Sequence, residues 1–466
     1  MPSIIQGGMG VAVSSWKLAS AVSSMGQLGV VSGTGLDAVL SRRLQMGDPG
    51  GFNAKAMRQF PIPSIANRVW ERYFIEGGKA ENAAFKSKPL PSSSPTGPGF
   101  ELTLVAAFVE VWLAKQGHQN PVGINLLEKI QLPTLPTLYG AMLAGVDVVL
   151  MGAGIPRAIP AILDRLARAE KAELTVEVAG GEPLIVTLDP ADFGSFTVRR
   201  PKFYAIVSSA SLAVVLAKKC HPPVDGFVVE GHTAGGHNAP PRGATVLNEA
   251  GEPVYGERDL PDLAKFRELG LPFWLAGSYG SSESLVAAKK EGACGVQVGT
   301  AFAFCDESGV TPELKAEVIR RSLQHELSVY TDPLASPTGF PFKVVQVPGT
   351  AAENPINERR DRVCDLGYLR EAYRQPNGDV GFRCPAEPPE DYVRKGGNLA
   401  DTHGRKCICN GLLSTVGLPQ VRHGLVEPAL LTAGDDVVHL DRYMAPGANS
   451  YSAREVIETI LAGSSM

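Results

Sequence analysis

Residues 224–238, VDGFVVEGHTAGGHN, gather the side chains best suited to chemistry. An apolar run stops at Glu230, and glycines then alternate with His232 and His237. Imidazole changes charge near neutral pH and can serve as acid, base or metal ligand. The pair Gly235-Gly236 lets the backbone pass close under a flat ring, since no Cβ stands in the way. A metal centre is not expected, because two loop histidines at i, i+5 have no third ligand nearby. His237 is read as pointing across a pocket. His232 is read as a solvated or backbone-bonded loop residue.

Such a loop must be held by a scaffold, and the chain offers eight similar apolar runs: SIIQGG (3–8), LGVVSG (28–33), VGINL (122–126), VDVVLMG (146–152), FYAIVSS (203–209), DGFVVEG (225–231), PFWLAGS (272–278) and CGVQVGT (294–300). Runs rich in Val, Ile and Leu without alternation are the mark of parallel strands covered on both faces. Helix-compatible segments lie between them. The expectation is an α/β fold, a (β/α)8 TIM barrel, with an open doubly wound sheet as its competitor. The barrel is assigned to residues 1–335, with an inserted helical cap at about 40–118 that includes the Pro/Ser/Gly-rich joint KPLPSSSPTGPG (88–99). LTVEVAGGEPLIVTLD (173–188) reads as a hairpin turning at Gly180-Gly181. Beyond about 335 the rhythm stops, and residues 336–466 are expected to pack on the barrel as an extension that serves stability more than chemistry.

In a barrel the carboxyl ends of the strands meet at one mouth, where active sites are built. Here those ends are Gln6-Gly7-Gly8-Met9, Ser32-Gly33, Asn125, Met151 to Gly154, Ser208-Ser209, Glu230 to His237, Gly277-Ser278 and Gly299-Thr300. Glycines, amides and hydroxyls at such a mouth, with helix N-termini after the last two strands, make a phosphate cradle that needs no lysine. A rival phosphate signal, GTGLDA at 33–38, matches a dinucleotide fingerprint. No second strand ending in an acid follows it, so it is read as a strand-to-helix turn.

Taken in order, IIQGGMG, LGVVSGTG, VGINL, VVLMGAGIP, VVEGHTAGGHN and AGSYGSSESLVAAKKEGACGVQVGTAF resemble the nitronate monooxygenase family, formerly the 2-nitropropane dioxygenases. Its superfamily of flavin-dependent TIM barrels also contains enoyl-acyl-carrier-protein reductases. The resemblance spans roughly residues 3–305. It implies FMN as cofactor, held by Gln6, Gly7, Gly8, Met9, Asn125, Ser208, Glu230, Ala234, Gly235, Gly236, Gly277, Ser278, Gln297, Gly299 and Thr300, with His237 as the catalytic residue. Two departures stand out: Ser278 replaces a usual glycine, and the insertion after the second strand is long. The implied activity is oxidation of nitronates or nitroalkanes by O2 to a carbonyl compound and nitrite. The rival enzyme is an NAD(P)H-dependent enoyl-thioester reductase partnered by an acyl-carrier protein. A non-catalytic flavin scaffold is the third reading, against which the histidine argues.

Composition bounds these readings. The 466 residues carry a formal charge of −4 without long single-sign blocks, so nucleic acid and anionic membranes are not expected partners; a small-molecule substrate is. No run of 18 apolar residues and no basic, apolar leader occurs, and a cytoplasmic protein is expected. Whether it forms a homodimer is left open. Glycine, 51 of 466, exceeds the usual ~7% and fits many close backbone approaches. Seven cysteines are an odd, sparse set. Cys364, Cys384, Cys407 and Cys409 cluster in the extension with spacing wrong for zinc knuckles, and are read as packed thiols, with structural zinc as the alternative.

Overall fold

The computed structural model describes residues 1–194 and 196–462, so Ser195 and the last four residues of the expected extension, 463–466, lie outside the described residues. Ten strands occupy the first 300 residues: β1 (Ile4–Gln6), β2 (Gly29–Ser32), β3 (Val122–Leu127), β4 (Val148–Gly152), β5 (Ala172–Val176), β6 (Leu184–Leu188), β7 (Lys202–Val207), β8 (Gly226–Glu230), β9 (Phe273–Ala276) and β10 (Gly295–Val298). Eight of them form one parallel sheet in the order β1-β10-β9-β8-β7-β4-β3-β2, and each coincides with one of the eight apolar runs, β3 and β7 overrunning theirs by one residue. The sheet also closes. Ile5 bridges Leu28 in parallel, Gln6 N–H donates to Leu28 O at 2.9 Å, and Leu28 N–H donates to Ile4 O at 3.1 Å. Closure excludes the open-sheet competitor and makes the fold a (β/α)8 barrel.

Two apolar clusters explain why these strands do not alternate in sequence. Ile5, Val30, Leu150, Tyr204, Val228 and Trp274 pack together inside the ring. Their neighbours Ile4, Val31, Val149, Phe203, Phe227 and Phe273 belong to the core shared with the surrounding helices. Both strand faces are therefore dry, and both must be apolar. The hairpin falls where expected, with Val176 paired to Leu184 across its turn.

The helices before residue 330 are α1 (Trp16–Ser24), α2 (Leu36–Gln45), α3 (Phe52–Met57), α4 (Pro63–Tyr73), α5 (Pro98–Ala114), α6 (Thr134–Leu143), α7 (Ile159–Ala167), α8 (Ala210–Lys218), α9 (Leu263–Glu268), α10 (Ser282–Lys290), α11 (Thr300–Ala303) and α12 (Pro312–Leu323). Gly35, at φ +67°, begins α2, so GTGLDA is the strand-to-helix turn expected of it. The insertion is present as helices, but they buttress the side of the barrel: α5 packs on α1, α2 and α6, and α3 and α4 pack on α5. α5 is apolar nearly all round because it is covered on all sides. Its one buried acid, Glu110, accepts from Trp16 N–H at 2.8 Å and pairs with Arg43 at 2.9 Å.

The mouth is covered instead by the extension, which carries β11 (Val329–Asp332), β12 (Phe342–Val345), α13 (Asn354–Arg359), β13 (Glu371–Arg374), β14 (Val380–Arg383), α14 (Pro389–Arg394), α15 (Ile408–Thr415) and α16 (Ala453–Leu461). A second apolar core joins it to the barrel, with Phe342, Tyr368, Ile408, Leu413 and Leu430 packed against Val11, Val39 and Ile130. Among the described residues no helix is long and apolar enough to cross a membrane.

The tightest helix contact yields a stability prediction. A Cβ on Gly140 of α6 would collide with the Leu104 carbonyl of α5, a backbone atom that cannot rotate away. Gly140→Ala should cost about 1–3 kcal/mol, the usual toll of overpacking, read as a lowered thermal midpoint. An unchanged midpoint would show that α5 and α6 can separate freely.

Candidate active site

A cavity of about 1400 Å3, its mouth included, opens at the carboxyl ends of the strands. From the sequence-derived set it gathers Gly7, Gly8, Met9, Asn125, Glu230, Ala234, Gly235, Gly236, His237, Gly277, Ser278, Gln297, Gly299 and Thr300. Two members of that set are corrected. Gln6 is fully buried below the cavity, where its amide donates to Ser14 Oγ at 2.8 Å and accepts from Val30 N–H at 3.0 Å. It ties the first loop to the barrel wall. Ser208 lies outside the lining, and its carbonyl accepts from Arg242 at 3.3 Å. His232 also stays outside and stacks on Tyr255 with ring centroids 4.5 Å apart.

The floor is built by close approach. Ser14 Oγ donates to Gly7 O at 2.9 Å and accepts from Met9 N–H at 2.9 Å, which fixes the glycine loop after β1. Asn125 Nδ2 donates to Gly8 O at 3.1 Å, and a Cβ on Gly8 would strike the Asn125 side chain. Asn125 Oδ1 and Gln297 Oε1 are buried and find no hydrogen-bond partner among the described residues. Two orphaned amide oxygens at one cavity call for a ligand that donates hydrogen bonds.

The ends of β9 and β10 supply donors. After β9, Gly277 and Ser278 turn at φ +99° and +57°. The serine's left-handed backbone costs an ordinary residue about 1–2 kcal/mol, so replacing a glycine there is not neutral. The backbone N–H groups of Ser278, Tyr279, Gly299 and Thr300 find no acceptor among the described residues. Asp436 lies beside this cradle. Its carboxyl is pushed up by burial, against the pull of the Thr300 hydroxyl and Arg442.

The extension supplies what the sequence reading missed. Gly236 N–H donates to Thr432 Oγ1 at 2.8 Å, Gly434 N–H donates to Thr300 Oγ1 at 2.8 Å, and Asp435 N–H donates to Thr233 O at 3.0 Å. A Cβ on Gly235 would come within 2.7 Å of the Ala433 carbonyl carbon. Gly235 therefore makes room for the extension's backbone, a role the expected flavin clearance did not include. Tyr368, Leu369, Cys409 and Leu412 complete the wall, so the extension is part of the cavity and not only a support. Its signal was present in ALLTAGDD (429–436), an apolar run ending in small residues like the barrel strands.

His237 sits on a short antiparallel bridge to Phe342, its ring edge-on to that aromatic at 4.8 Å. Its Nε2 lies 2.7 Å from Ser336 Oγ, while Nδ1 makes no hydrogen bond among the described residues. Burial lowers its pKa from 6.5 to about 4, so the imidazole is neutral at physiological pH. Burial also raises Glu230, from 4.5 to about 7. The seven cysteines are free thiols. Cys364, Cys384, Cys407 and Cys409 border one small cavity. No group of three or more His, Cys, Asp or Glu among the described residues is placed to hold a metal.

A closed eight-stranded barrel with an amide-lined cavity and an anion cradle at its carboxyl mouth defines the class. Within that class, residues 191–331 match the nitronate monooxygenase family model, an oxidoreductase family, which bears out the resemblance drawn from the motifs over that segment. Comparison with curated proteins gives no match. Among solved structures the chain is similar to FabK from Thermotoga maritima, at 17% identity over 99% of this chain and 92% of that one, TM-score 0.49. It is also similar to a nitroalkane oxidase from Streptomyces ansochromogenes, at 16% identity over 99% and 95%, TM-score 0.47. A third is the enoyl reductase domain of MlnA from Bacillus amyloliquefaciens, at 12% identity over 100% and 95%, TM-score 0.49.

The two buried titrations oppose each other. Between about 4.5 and 7 the folded state keeps the Glu230 proton that the unfolded chain releases, so this residue's contribution to stability falls as pH rises. Between about 4 and 6.5 the unfolded chain binds a proton that folded His237 refuses, and stability rises with pH. Glu230→Gln removes the falling limb. The stability difference, variant minus parent, should therefore climb from pH 4.5 to 7 in denaturant melts, and a flat difference would place Glu230 in water.

Proposed function

We propose that the cavity binds FMN and that the protein is an FMN-dependent oxidoreductase that oxidises nitronates or nitroalkanes, with O2 as electron acceptor, to a carbonyl compound and nitrite. The observation that carries this reading is the presence, in one cavity, of unpaired backbone donors after β9 and β10 together with the orphaned amide oxygens of Asn125 on β3 and Gln297 on β10. The donors suit a phosphate, and the amide oxygens suit the N–H edge of a flat heterocycle. Bound there, the flavin would supply the redox chemistry. The N–H groups of Ser278, Gly299 and Thr300 would hold its phosphate. Asn125 and Gln297 would orient its ring, with Gly7, Gly8 and Met9 below and Ala234 to Gly236 alongside. The Glu230 carboxyl, facing the cavity, would bind polar groups between ring and phosphate.

His237 acts on the substrate. As a neutral imidazole with Nδ1 free, it can take the α-proton of a neutral nitroalkane, and once protonated it binds the resulting anion. A preformed nitronate needs no proton removed.

An enoyl-thioester reductase is the second reading, and one feature favours it. An open groove meets the cavity at the shared residues Tyr368 and Leu369 and runs outward past Lys129, Arg370 and Phe382. A nitroalkane has no use for such a length of groove, whereas a long acyl thioester does. Oxygen uptake with a nitronate, against NAD(P)H oxidation with an enoyl thioester, separates the two on one preparation.

Heat-released cofactor should prove to be FMN by mass analysis, and FAD as the dominant species would overturn the cradle assignment. His237→Ala should keep its flavin but lose about 10²–10⁴ in turnover, the usual worth of a positioned acid–base group. The loss should be larger on a neutral nitroalkane than on its nitronate. Equal losses would make His237 an anion anchor.

A further inference from the structure

His237 is partly buried in the cavity wall, and a proton it takes up must leave it again. Burial disfavours the charged ring, so an imidazolium formed in turnover holds its proton poorly. The far side of the ring offers an exit. His237 Nε2 lies 2.7 Å from Ser336 Oγ, and Ser336 Oγ lies 2.8 Å from Thr338 Oγ1. Ser336 is fully buried, whereas Thr338 is only partly covered and borders the open groove that also passes Lys129 and Arg405.

We propose that Ser336 and Thr338 form a two-hydroxyl proton relay connecting His237 to the solvent of this groove. The proposal rests on the reading of His237 as the acid–base group.

The hydrogen-bond inventory at Ser336 fits one polarity. A hydroxyl has one proton and two lone pairs. Ser336 Oγ accepts from Thr338 N–H at 3.2 Å and from His237 Nε2–H, which leaves its own proton for Thr338 Oγ1. Thr338 Oγ1, which also accepts from Phe340 N–H at 3.4 Å, is left with its own proton for a partner in the groove. In this state Nδ1 carries the free lone pair toward the substrate, as a base must.

Proton uptake at Nδ1 breaks the substrate C–H bond and leaves its electron pair on the substrate. Nε2–H then passes to Ser336 Oγ, the Ser336 proton to Thr338 Oγ1, and the Thr338 proton to water. One proton enters and one leaves, and no co-reactant other than water is needed. The same chain run inward would deliver a proton to an enoyl thioester during its reduction.

The geometry is braced for this purpose. Pro337, between the two hydroxyl residues, fixes φ and holds them on one side of the turn. Arg405 Nη1 clamps that turn by donating to Leu334 O at 2.7 Å and Ser336 O at 2.5 Å.

Thr338→Val keeps the shape and removes the hydroxyl. On a neutral nitroalkane it should lower kcat about 10-fold with KM, flavin content and melting temperature unchanged, and it should leave nitronate turnover at the parent level. Thr338→Ser should restore the rate, and added imidazole should raise kcat of Thr338→Val but not of the parent. Ser336→Ala should show the same loss on the neutral substrate. Parent-level kcat in both Thr338→Val and Ser336→Ala, with His237→Ala inactive, overturns the relay and leaves the reading of His237 intact. An active His237→Ala overturns that reading and the relay with it. Should the protein turn over only enoyl thioesters, the same variants are read on that reduction, with the same loss expected.

Discussion

Backbone meeting backbone at Gly235 and Gly434 is the constraint on which the cavity depends. Neither residue has room for a side chain: a Cβ on Gly434 would come within 2.7 Å of Thr233 O, and one on Gly235 would press on Ala433. Because both are bare, the loop after β8 and the strand-like segment 432–435 can exchange hydrogen bonds through Thr432, Thr300 and Thr233. That seam holds the loop after β8 against β12 and brings Asp436 beside the free N–H groups that follow β9 and β10. The barrel provides a ring of donors, and the seam turns the ring into a closed room.

Enclosure accounts for the electrostatics. Desolvation penalises whichever form is charged, so it pushes a carboxyl up and an imidazole down. Glu230 and His237 move in these opposite directions for that one reason. In open water Glu230 would be an anion at neutral pH and His237 partly a cation, an ion pair competing with any ligand. Inside the cavity both move toward neutrality, and polar ligand groups meet hydrogen-bonding partners in place of fixed charges.

The barrel and most of its mouth were legible in the sequence because each strand is a short apolar run that ends in glycine, amide or hydroxyl residues. Gly7, Asn125, His237 and Gly299 could be placed from local pattern alone. Gln6 could not be separated from its neighbours, since its inward turn toward Ser14 is a matter of χ angles that no spacing encodes. Ser208 failed at the same level of detail: the strand end was right, but the residue does not line the cavity. The extension was the larger miss. Its contact with the barrel joins Thr233 to Asp435 and Phe85 to Gln420, pairs hundreds of residues apart. Such pairs leave no periodicity to read. The insertion misled because α5, its last helix, belongs to the barrel's own outer layer.

Walls drawn from Gly7 at one end of the chain and Asp436 near the other have a consequence for biogenesis. During synthesis the eight barrel strands are complete once β10 emerges, well before the segment 432–436 leaves the ribosome. Until then the glycine loops and the ring of free N–H groups stand open to water. A nascent chain at that stage has the barrel but not the room, and the long-range contacts that close it are the slow ones to form. Ligand retention in the cavity is thereby placed late in folding, when the segment 432–436 arrives as its last wall.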